Sequence, residues 1–354
     1  MGMPNISFKF TTAAQTAVRR SQAGVVAVIL LDAAASGALS IASAKQIPTT
    51  LTAANQAYLQ RAFIGYTNPP SKVLCYVLDD EAAELTAALT WLATQQFDYL
   101  AGPPEITVEQ CTAVKAWISS QRSDNHAIYK AVLPDTSADS EAIINFTTEG
   151  IKVGTATYDA ADYCSRIAGM LAGTPMTYSC TYAELPEVED VTRLTASAMD
   201  TAVDAGKFLL FFDGRQVKTG RAVNSLQTLT GKSAAYKKIK VVEALDMIQT
   251  DIRRLCEDNY IGKLPNSYDN KLLLVTELRN YLVGLEAAGV LKAGVSTVAL
   301  DVDAQQAWLE SKGVDTSSMT EAEILQAETE SLVFLKASVH ILDAIEDITL
   351  HISI

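Results

Sequence analysis

Four apolar segments in the first half of the chain have the length and composition of buried β-strands. They are Val25–Asp32, Lys72–Leu78, Phe97–Ala101 and Ala127–Leu133. The first of them is apolar at nearly every position, as expected for a strand that is covered on both faces of a sheet. The segments therefore predict a sheet that is buried on both sides.

Segments with helical spacing lie between these strands. Helices are predicted over residues 52–66 and 85–96, where apolar residues recur at helical intervals. Thr107 and Gln110 form a capping box that begins a third helix. Because strands and helices alternate, the first half is predicted to be a largely parallel, doubly wound α/β sheet.

The pattern changes near Glu184–Asp190. Lys207–Asp213 is a predicted strand that turns at Asp213-Gly214 and returns over Arg215–Val223 as a hairpin. A long helix follows over Tyr236–Glu257, because its apolar residues lie on one helical face.

The rest of the second half is predicted to be mostly helical. Helices are expected at Asn270–Ala288, at Asp303–Ser311 and after a capping box of Thr320 and Glu323. A strand is predicted over Leu332–Leu342. The second half therefore has the pattern of an α+β domain.

Both ends of the chain alternate apolar and polar residues with the period of an amphipathic strand, and the second of these strands spans Asp347–Ile354. An apolar strand at a chain end needs a partner, because an unpaired one frays and favours aggregation. The pattern leaves two partners open: a sheet of the same subunit, or a sheet of another subunit that gains a strand. The apolar residues of the two strands are Ile6, Phe8, Phe10, Ile348, Leu350, Ile352 and Ile354.

Charged residues are segregated along the second half. Residues 215–240 contain seven basic side chains and no acidic one, whereas residues 301–347 contain eleven acidic side chains and two lysines. This segregation favours complementary surfaces that meet across an interface, although two solvated surfaces would give the same pattern. Adjacent carboxylates such as Glu346 and Asp347 are expected to be solvated.

Composition narrows the class of protein. The 354 residues are 49% hydrophobic and 19% charged, which is typical of a globular chain with a sizeable core. A net charge of −13 argues against nucleic-acid binding, which requires clustered basic residues. No apolar run has the length of a membrane span and no signal-peptide pattern is present, so we expect a cytoplasmic origin without membrane insertion.

No motif indicates catalysis, a cofactor or a metal. The five cysteines and three histidines lack metal-ligand spacing, and the cysteines are expected to be buried free thiols. Thr230-Gly231-Lys232-Ser233 lacks the upstream glycine of a phosphate-binding loop, and the turn after Val25–Asp32 lacks the glycine-rich dinucleotide pattern. A nucleotide-binding α/β enzyme and a monomeric binding module remain alternatives to a self-assembling subunit.

Several stretches in a fixed order point to one family. They include Ile144–Glu149, Ser165–Gly169, Arg221–Leu226, Asn266–Lys271 and Leu342–Ile348. Over nearly its whole length the chain resembles the contractile tail sheath proteins of myophages and R-type bacteriocins, specifically the short XkdK-like sheaths of PBSX-type prophages.

The resemblance implies four regions. These are an N-terminal strand arm over residues 1–20, an outer doubly wound α/β domain over 21–185, an inner α+β sheath domain over 186–340 and a C-terminal strand arm over 341–354. It further implies that the strands of both arms are exchanged into a sheet of the inner domain of neighbouring subunits.

The resemblance also implies a mechanical function without enzymatic activity. Subunits are expected to form hexameric rings that stack helically around a tail tube and contract to drive the tube through a target cell envelope. The expected partners are further copies of the chain, the tube protein, and the baseplate and tail terminator proteins, with no cofactor. Assembly is expected in the host cytoplasm, before incorporation into a virion tail or bacteriocin particle.

The long helix lies in the region of the family fold that faces the tube. Lys237, Lys238 and Lys240 at its start are therefore expected to contact the tube or a neighbouring subunit.

Overall fold

The computed structural model describes residues 24–82 and 84–353. Residue contacts divide the described chain into two compact units, one formed by residues 24–243 with 343–353 and the other by residues 244–342. The predictions for the N-terminal arm, with its strand residues Ile6, Phe8 and Phe10, and for Ile354 lie outside the described residues.

A seven-stranded sheet forms the centre of the first unit. Its strands are β1 Val25–Leu31, β2 Gly37–Ile41, β3 Lys72–Leu78, β4 Tyr99–Ala101, β5 Lys130–Pro134, β6 Ile143–Phe146 and β9 Lys207–Phe208. They lie in the order β2-β3-β1-β4-β5-β6-β9, and each neighbouring pair is parallel except β2 with β3. The prediction of a mixed α/β fold with a parallel-rich sheet is confirmed.

Helices cover both faces of this sheet. Helices α1 Ala53–Ala62 and α4 Ala160–Ala172 pack on one face, and helices α2 Thr86–Leu92 and α3 Val108–Asp124 pack on the other. Strand β1 supplies alternate residues to the two faces, with Val28 in one apolar cluster and Ile29 in the other. A strand that is apolar at every position is stable here because both of its faces are covered.

Helix α4 is the most deeply buried helix of the first unit, and it was not among the predicted helices. Nearly all of its residues are buried, although its polar residues Asp162, Ser165 and Arg166 recur at the spacing of one helical face. Asp159 and Asp162 form a capping box at its start. Ser165 Oγ donates a hydrogen bond to the carbonyl oxygen of Tyr58 in α1 at 2.7 Å. The two helices therefore lie in close contact.

The sheet of the first unit includes a strand from beyond residue 185. After helix α5 Ala196–Asp204 the chain returns to the sheet, where Phe208 of β9 pairs with Phe146 of β6. β9 adds the seventh strand to the sheet, and the first stretch of this compact unit ends at Glu243.

Two hairpins accompany the sheet of the first unit. Strands β7 Ile151–Val153 and β8 Ala156–Tyr158 form one, and β10 Leu210–Phe212 and β11 Val217–Thr219 form the other. The second confirms the hairpin predicted at Asp213-Gly214. Its turn requires glycine, because Gly214 has a φ of +98°.

The second unit contains most of the predicted helices. Its elements, with the helix that spans the division at Glu243 given first, are α6 Ile239–Asn259, α7 Tyr268–Ala287, β12 Thr297–Leu300, α8 Val302–Ser311, α9 Glu321–Gln326 and β13 Leu335–Ser338. Helix α7 buries Leu278, Leu282 and Leu285 on one face and packs against β12. Within the described residues, no helix combines the length and apolar character that crossing a bilayer requires.

We expect Gly169→Ala to lower the free energy of unfolding by about 1–3 kcal/mol, the usual range for overpacking a core. A Cβ atom at Gly169 would lie 1.9 Å from the carbonyl oxygen of Ala62, so α1 and α4 would have to separate. Urea unfolding followed by circular dichroism measures the change. The control is Ser119→Ala on the exposed face of α3, where alanine's higher helix propensity should leave stability equal or higher. Equal stability of the Gly169→Ala variant would contradict the close packing.

Candidate assembly site

The C-terminal segment from Asp343 onward contains no strand or helix in the described part of the chain. Its alternating residues Ile348, Leu350 and Ile352 are 81%, 76% and 77% exposed. This differs from the strand predicted over Asp347–Ile354. A strand requires a hydrogen-bonded neighbour, and among the described residues no strand lies alongside this segment. Pairing within the same subunit, one of the two alternatives left open by the pattern, is therefore not observed for these residues.

The start of this segment is held by an ionic cluster, which consists of Arg221, Lys238, Asp343, Glu346 and Asp347. Lys238 Nζ pairs with Asp343 and lies 3.2 Å from Glu346 Oε2. Arg221 lies 3.7 Å from Glu346 Oε2 and 2.5 Å from Asp347 Oδ1. Each cation therefore contacts two carboxylates.

Glu346 is the buried centre of the ionic cluster. Its side chain is only 6% exposed, whereas that of Asp347 is 79% exposed. Thr181 Oγ1 donates a hydrogen bond to Glu346 Oε1 at 2.6 Å. The prediction that Glu346 is solvated is therefore wrong. A carboxylate can be buried here because two cations and a hydroxyl replace its water.

The charge of the two cations is favoured by their partners. Burial alone would lower the pKa of Lys238, but its hydrogen bonds to Asp343 and Glu346 outweigh that effect and raise the pKa. The pKa of Arg221 is raised chiefly by its hydrogen bond to Asp347. The basic and acidic stretches of the sequence thus meet inside one chain at these five residues. For the five residues of the ionic cluster, the interpretation that the basic and acidic stretches meet across a subunit interface is wrong.

The three lysines predicted to contact the tube or a neighbour differ in exposure. Lys238 belongs to the ionic cluster. Lys240 is 9% exposed, its Nζ lies 3.4 Å from the Thr177 carbonyl oxygen, and burial lowers its pKa. Lys237 is half-buried, and its Nζ lies 3.5 Å from Gln227 Oε1. Of the three, Lys237 has the weakest contact with its own chain.

The second unit contains a sheet that can accept further strands. β12 and β13 form an antiparallel two-stranded sheet, and among the described residues no third strand pairs with either. Within this described part of the chain, each strand therefore has one edge without a strand partner. Such an edge is a template for a strand from another chain.

The carboxyl ends of the parallel strands are the usual ligand site of a doubly wound sheet. The strand order reverses between β1 and β4, and here Tyr58 Oη donates a hydrogen bond to the carbonyl oxygen of Gly102 at 2.8 Å. Asp32, at the end of β1, accepts hydrogen bonds from the backbone of Ala34 and Thr52 and from Asn55 Nδ2. The hydrogen-bonding groups at this edge of the sheet are thus paired with groups of the same chain. The geometry therefore does not favour a nucleotide site.

The chain matches two family models that together cover most of its length. They describe the phage tail sheath protein central domain, at residues 80–225, and the phage tail sheath C-terminal domain, at residues 231–354. The tail sheath protein of Clostridium phage phiCD119 is 35% identical over 99% of both chains. The chain belongs to the phage tail sheath protein family.

The fold of this sheath protein is also similar to solved structures. The sheath tail protein Lin1278 from Listeria innocua aligns with a TM-score of 0.71 at 19% identity, over 84% of this chain and 93% of that chain. The helical sheath of the anti-feeding prophage in its contracted state aligns with a TM-score of 0.70 at 19% identity, over 100% of this chain and 99% of that chain. Family membership makes the protein a structural component of a contractile particle, not an enzyme.

We expect the stabilising effect of Asp32 to disappear in acid. Burial alone would raise the pKa of Asp32, but the hydrogen bonds from Asn55, Thr52 and Ala34 outweigh it and lower the pKa from 3.8 to about 2. A lowered pKa stabilises the fold above pH 3.8, and this contribution is lost as the pH falls towards 2.

Urea unfolding of the wild type and of Asp32→Asn between neutral pH and pH 2 tests this expectation. The difference in unfolding free energy should be largest above pH 3.8 and should shrink towards pH 2. Asp80→Asn, at an exposed carboxylate, should show little difference at any pH. A difference that is constant with pH would rule out the carboxylate as its source.

Proposed function

We propose that this sheath protein polymerises into hexameric rings that stack helically around a tail tube. Contraction of the polymer would drive the tube through a target cell envelope. The observation that carries the proposal is the exposed alternation of Ile348, Leu350 and Ile352 on a segment that has no strand partner among the described residues of its own chain. The proposed partners are further copies of the chain, the tube protein, and the baseplate and tail terminator proteins. Assembly would take place in the host cytoplasm.

The terminal strands are the proposed links between subunits. The sheet of β12 and β13 has two outer edges, and the chain has two terminal strands that could each occupy one edge in a neighbour. Each apolar side chain buried on pairing contributes roughly 1.5–3 kcal/mol. Each new backbone hydrogen bond adds roughly 0.5–1.5 kcal/mol. A strand of this kind would keep neighbours joined while weaker polar contacts break and form again.

The energy for contraction would come from interfaces between subunits that differ in the two states of the polymer. Packed interfaces have a few discrete arrangements, so a trigger at the baseplate could shift the polymer from one to the other. The α/β region over residues 21–185 would face outward and repack between layers. The inner region over residues 186–340 would carry the exchanged strands around the tube.

Lys237, Lys238 and Lys240 remain the proposed contacts with the tube or a neighbouring subunit. Lys237 is the best single test of this proposal. Lys238 is paired in the ionic cluster and Lys240 is buried, so changing either would also alter the subunit itself.

Removing apolar contacts from the C-terminal segment should prevent polymerisation. We expect Leu350→Asp to leave a folded monomer that forms no tubes, because the charge would have to be buried on strand pairing. Thr349→Asp places the same charge at the adjacent position, which points to the other face of a strand, and is the matched control. Negative-stain microscopy and sedimentation measure tube formation. Normal tubes from Leu350→Asp would exclude exchange of this strand.

The N-terminal strand has its own test. Deletion of residues 1–12 removes Ile6, Phe8 and Phe10, and should abolish tubes while circular dichroism shows a folded chain. If the deleted protein still forms normal tubes, exchange of the N-terminal strand is wrong and any exchange is confined to the C-terminal strand.

Charge reversal at Lys237 should weaken assembly on a tube. We expect Lys237→Glu to reduce co-sedimentation of the protein with purified tubes, and we expect the loss to grow smaller at high salt because screening weakens surface charge interactions. Lys45→Glu is the matched control, since Lys45 is an exposed lysine of the α/β region. Equal co-sedimentation of the two variants would remove Lys237 from the interface.

A further inference from the structure

The C-terminal segment contains two patterns that do not share a period. The carboxylates of the ionic cluster lie at positions 343, 346 and 347, whereas the apolar residues lie at 348, 350 and 352. In a continuous strand, residues 346 and 348 would point to the same side. Instead, the side chain of Glu346 is 6% exposed, whereas Ile348 as a whole residue is 81% exposed. The two residues therefore belong to different structural parts of the segment.

The ionic cluster connects the first part to the body of its own unit. Its side chains form a chain of contacts in which acidic and basic groups alternate. The order is Asp343, Lys238, Glu346, Arg221 and Asp347. Both cations belong to the chain between β11 and α6, which pairs with itself at Val223 and Lys238. This chain is bonded to β6 of the sheet, where the backbone N–H of Ser225 donates to the carbonyl oxygen of Ile143 at 2.9 Å. Several groups would have to separate together before this part of the segment could leave the surface.

Ile345 supports the same division. It is 88% exposed and lies between two carboxylates of the ionic cluster, but it is out of phase with Ile348 and the residues after it. A side chain at this position does not belong to the apolar face of the terminal strand. The strand pattern therefore begins only after Asp347.

We infer that the ionic cluster anchors residues 343–347 to their own subunit, so that the C-terminal arm bends between Asp347 and Ile348 and only the residues after this point are free to join a neighbour. The use of this anchor in assembly rests on the proposed strand exchange. The geometry of the anchor in the single chain is independent of strand exchange.

The anchor limits how far the arm can reach. At roughly 3.3 Å per residue, residues 348–354 span about 23 Å from Asp347. If the anchor were lost, residues 343–347 would add about 16 Å to the free tether at the same rise. A longer tether lowers the effective concentration of the strand at a fixed site, so the anchor would favour one neighbouring edge over more distant ones.

Nitroxide labels at two positions of the unpolymerised full chain test the anchor. One label replaces Ile345 and the other replaces Ile352, both of which are exposed, so the label itself disturbs little packing. The parent protein for labelling carries Cys256→Ser, because Cys256 is partly exposed and would itself react with the label. The other four cysteines are buried and are kept. Electron paramagnetic resonance then measures label mobility in the parent, in Glu346→Gln and in Glu141→Gln. The last is the matched control, since Glu141 pairs with Lys232 at 2.8 Å in the same unit.

We expect slow motion at position 345 and fast motion at position 352 in the parent. Glu346→Gln should make the label at 345 several-fold faster and leave the label at 352 unchanged, whereas Glu141→Gln should change neither. The inference is overturned if 345 is as mobile as 352 in the parent, or if it stays slow in Glu346→Gln combined with Arg221→Gln. Polymerisation is a separate readout: a chain that never forms tubes would overturn the proposed function and leave these spectra as they are.

Discussion

An extended apolar segment is stable only where its backbone groups and side chains find partners, and this constraint governs the C-terminal end of the sheath protein. Ile348, Leu350 and Ile352 are exposed in the single chain, on a segment that pairs with no described strand. The chain also contains a two-stranded sheet that pairs with no third strand among the described residues. Under the proposed strand exchange, a second copy of the same chain would supply the partner for each feature.

The ionic cluster explains how such a segment can be exposed and still be positioned. Glu346 is buried between Lys238, Arg221 and Thr181, while the apolar residues that follow are exposed. Ion pairs on a protein surface usually contribute little, because water screens them and long side chains lose entropy. A buried carboxylate with three partners is different, because removing any partner leaves a desolvated charge. The cluster is therefore suited to fixing the geometry of residues 343–347, as the proposed anchor requires.

The α/β region has the architecture of many ligand-binding proteins, but its usual ligand site is satisfied internally. Tyr58 contacts Gly102 where the strand order reverses, and Asp32 accepts hydrogen bonds from its own chain. The same fold can therefore serve as a rigid body in an assembly. Gly169 contributes to that rigidity, since the absence of a side chain allows α4 to approach α1 closely.

The sequence by itself determined the elements whose patterns are local. The apolar runs of β1 and β3, the capping box at Thr107 and the turn at Asp213-Gly214 all depend on neighbouring residues, and all are found in the structure. Tertiary structure alone decided which distant segments meet. Helix α4 was missed although Asp162, Ser165 and Arg166 recur at helical spacing, and only the fold decided that this polar face is buried. Strand β9 was not separable from the hairpin that follows it, because it joins the sheet through only two residues. The segregation of charge along the sequence indicated that basic and acidic stretches pair. Only the fold decided that Arg221 and Lys238 meet Glu346 within one subunit, because a sequence pattern carries no information on which surfaces the chain brings together.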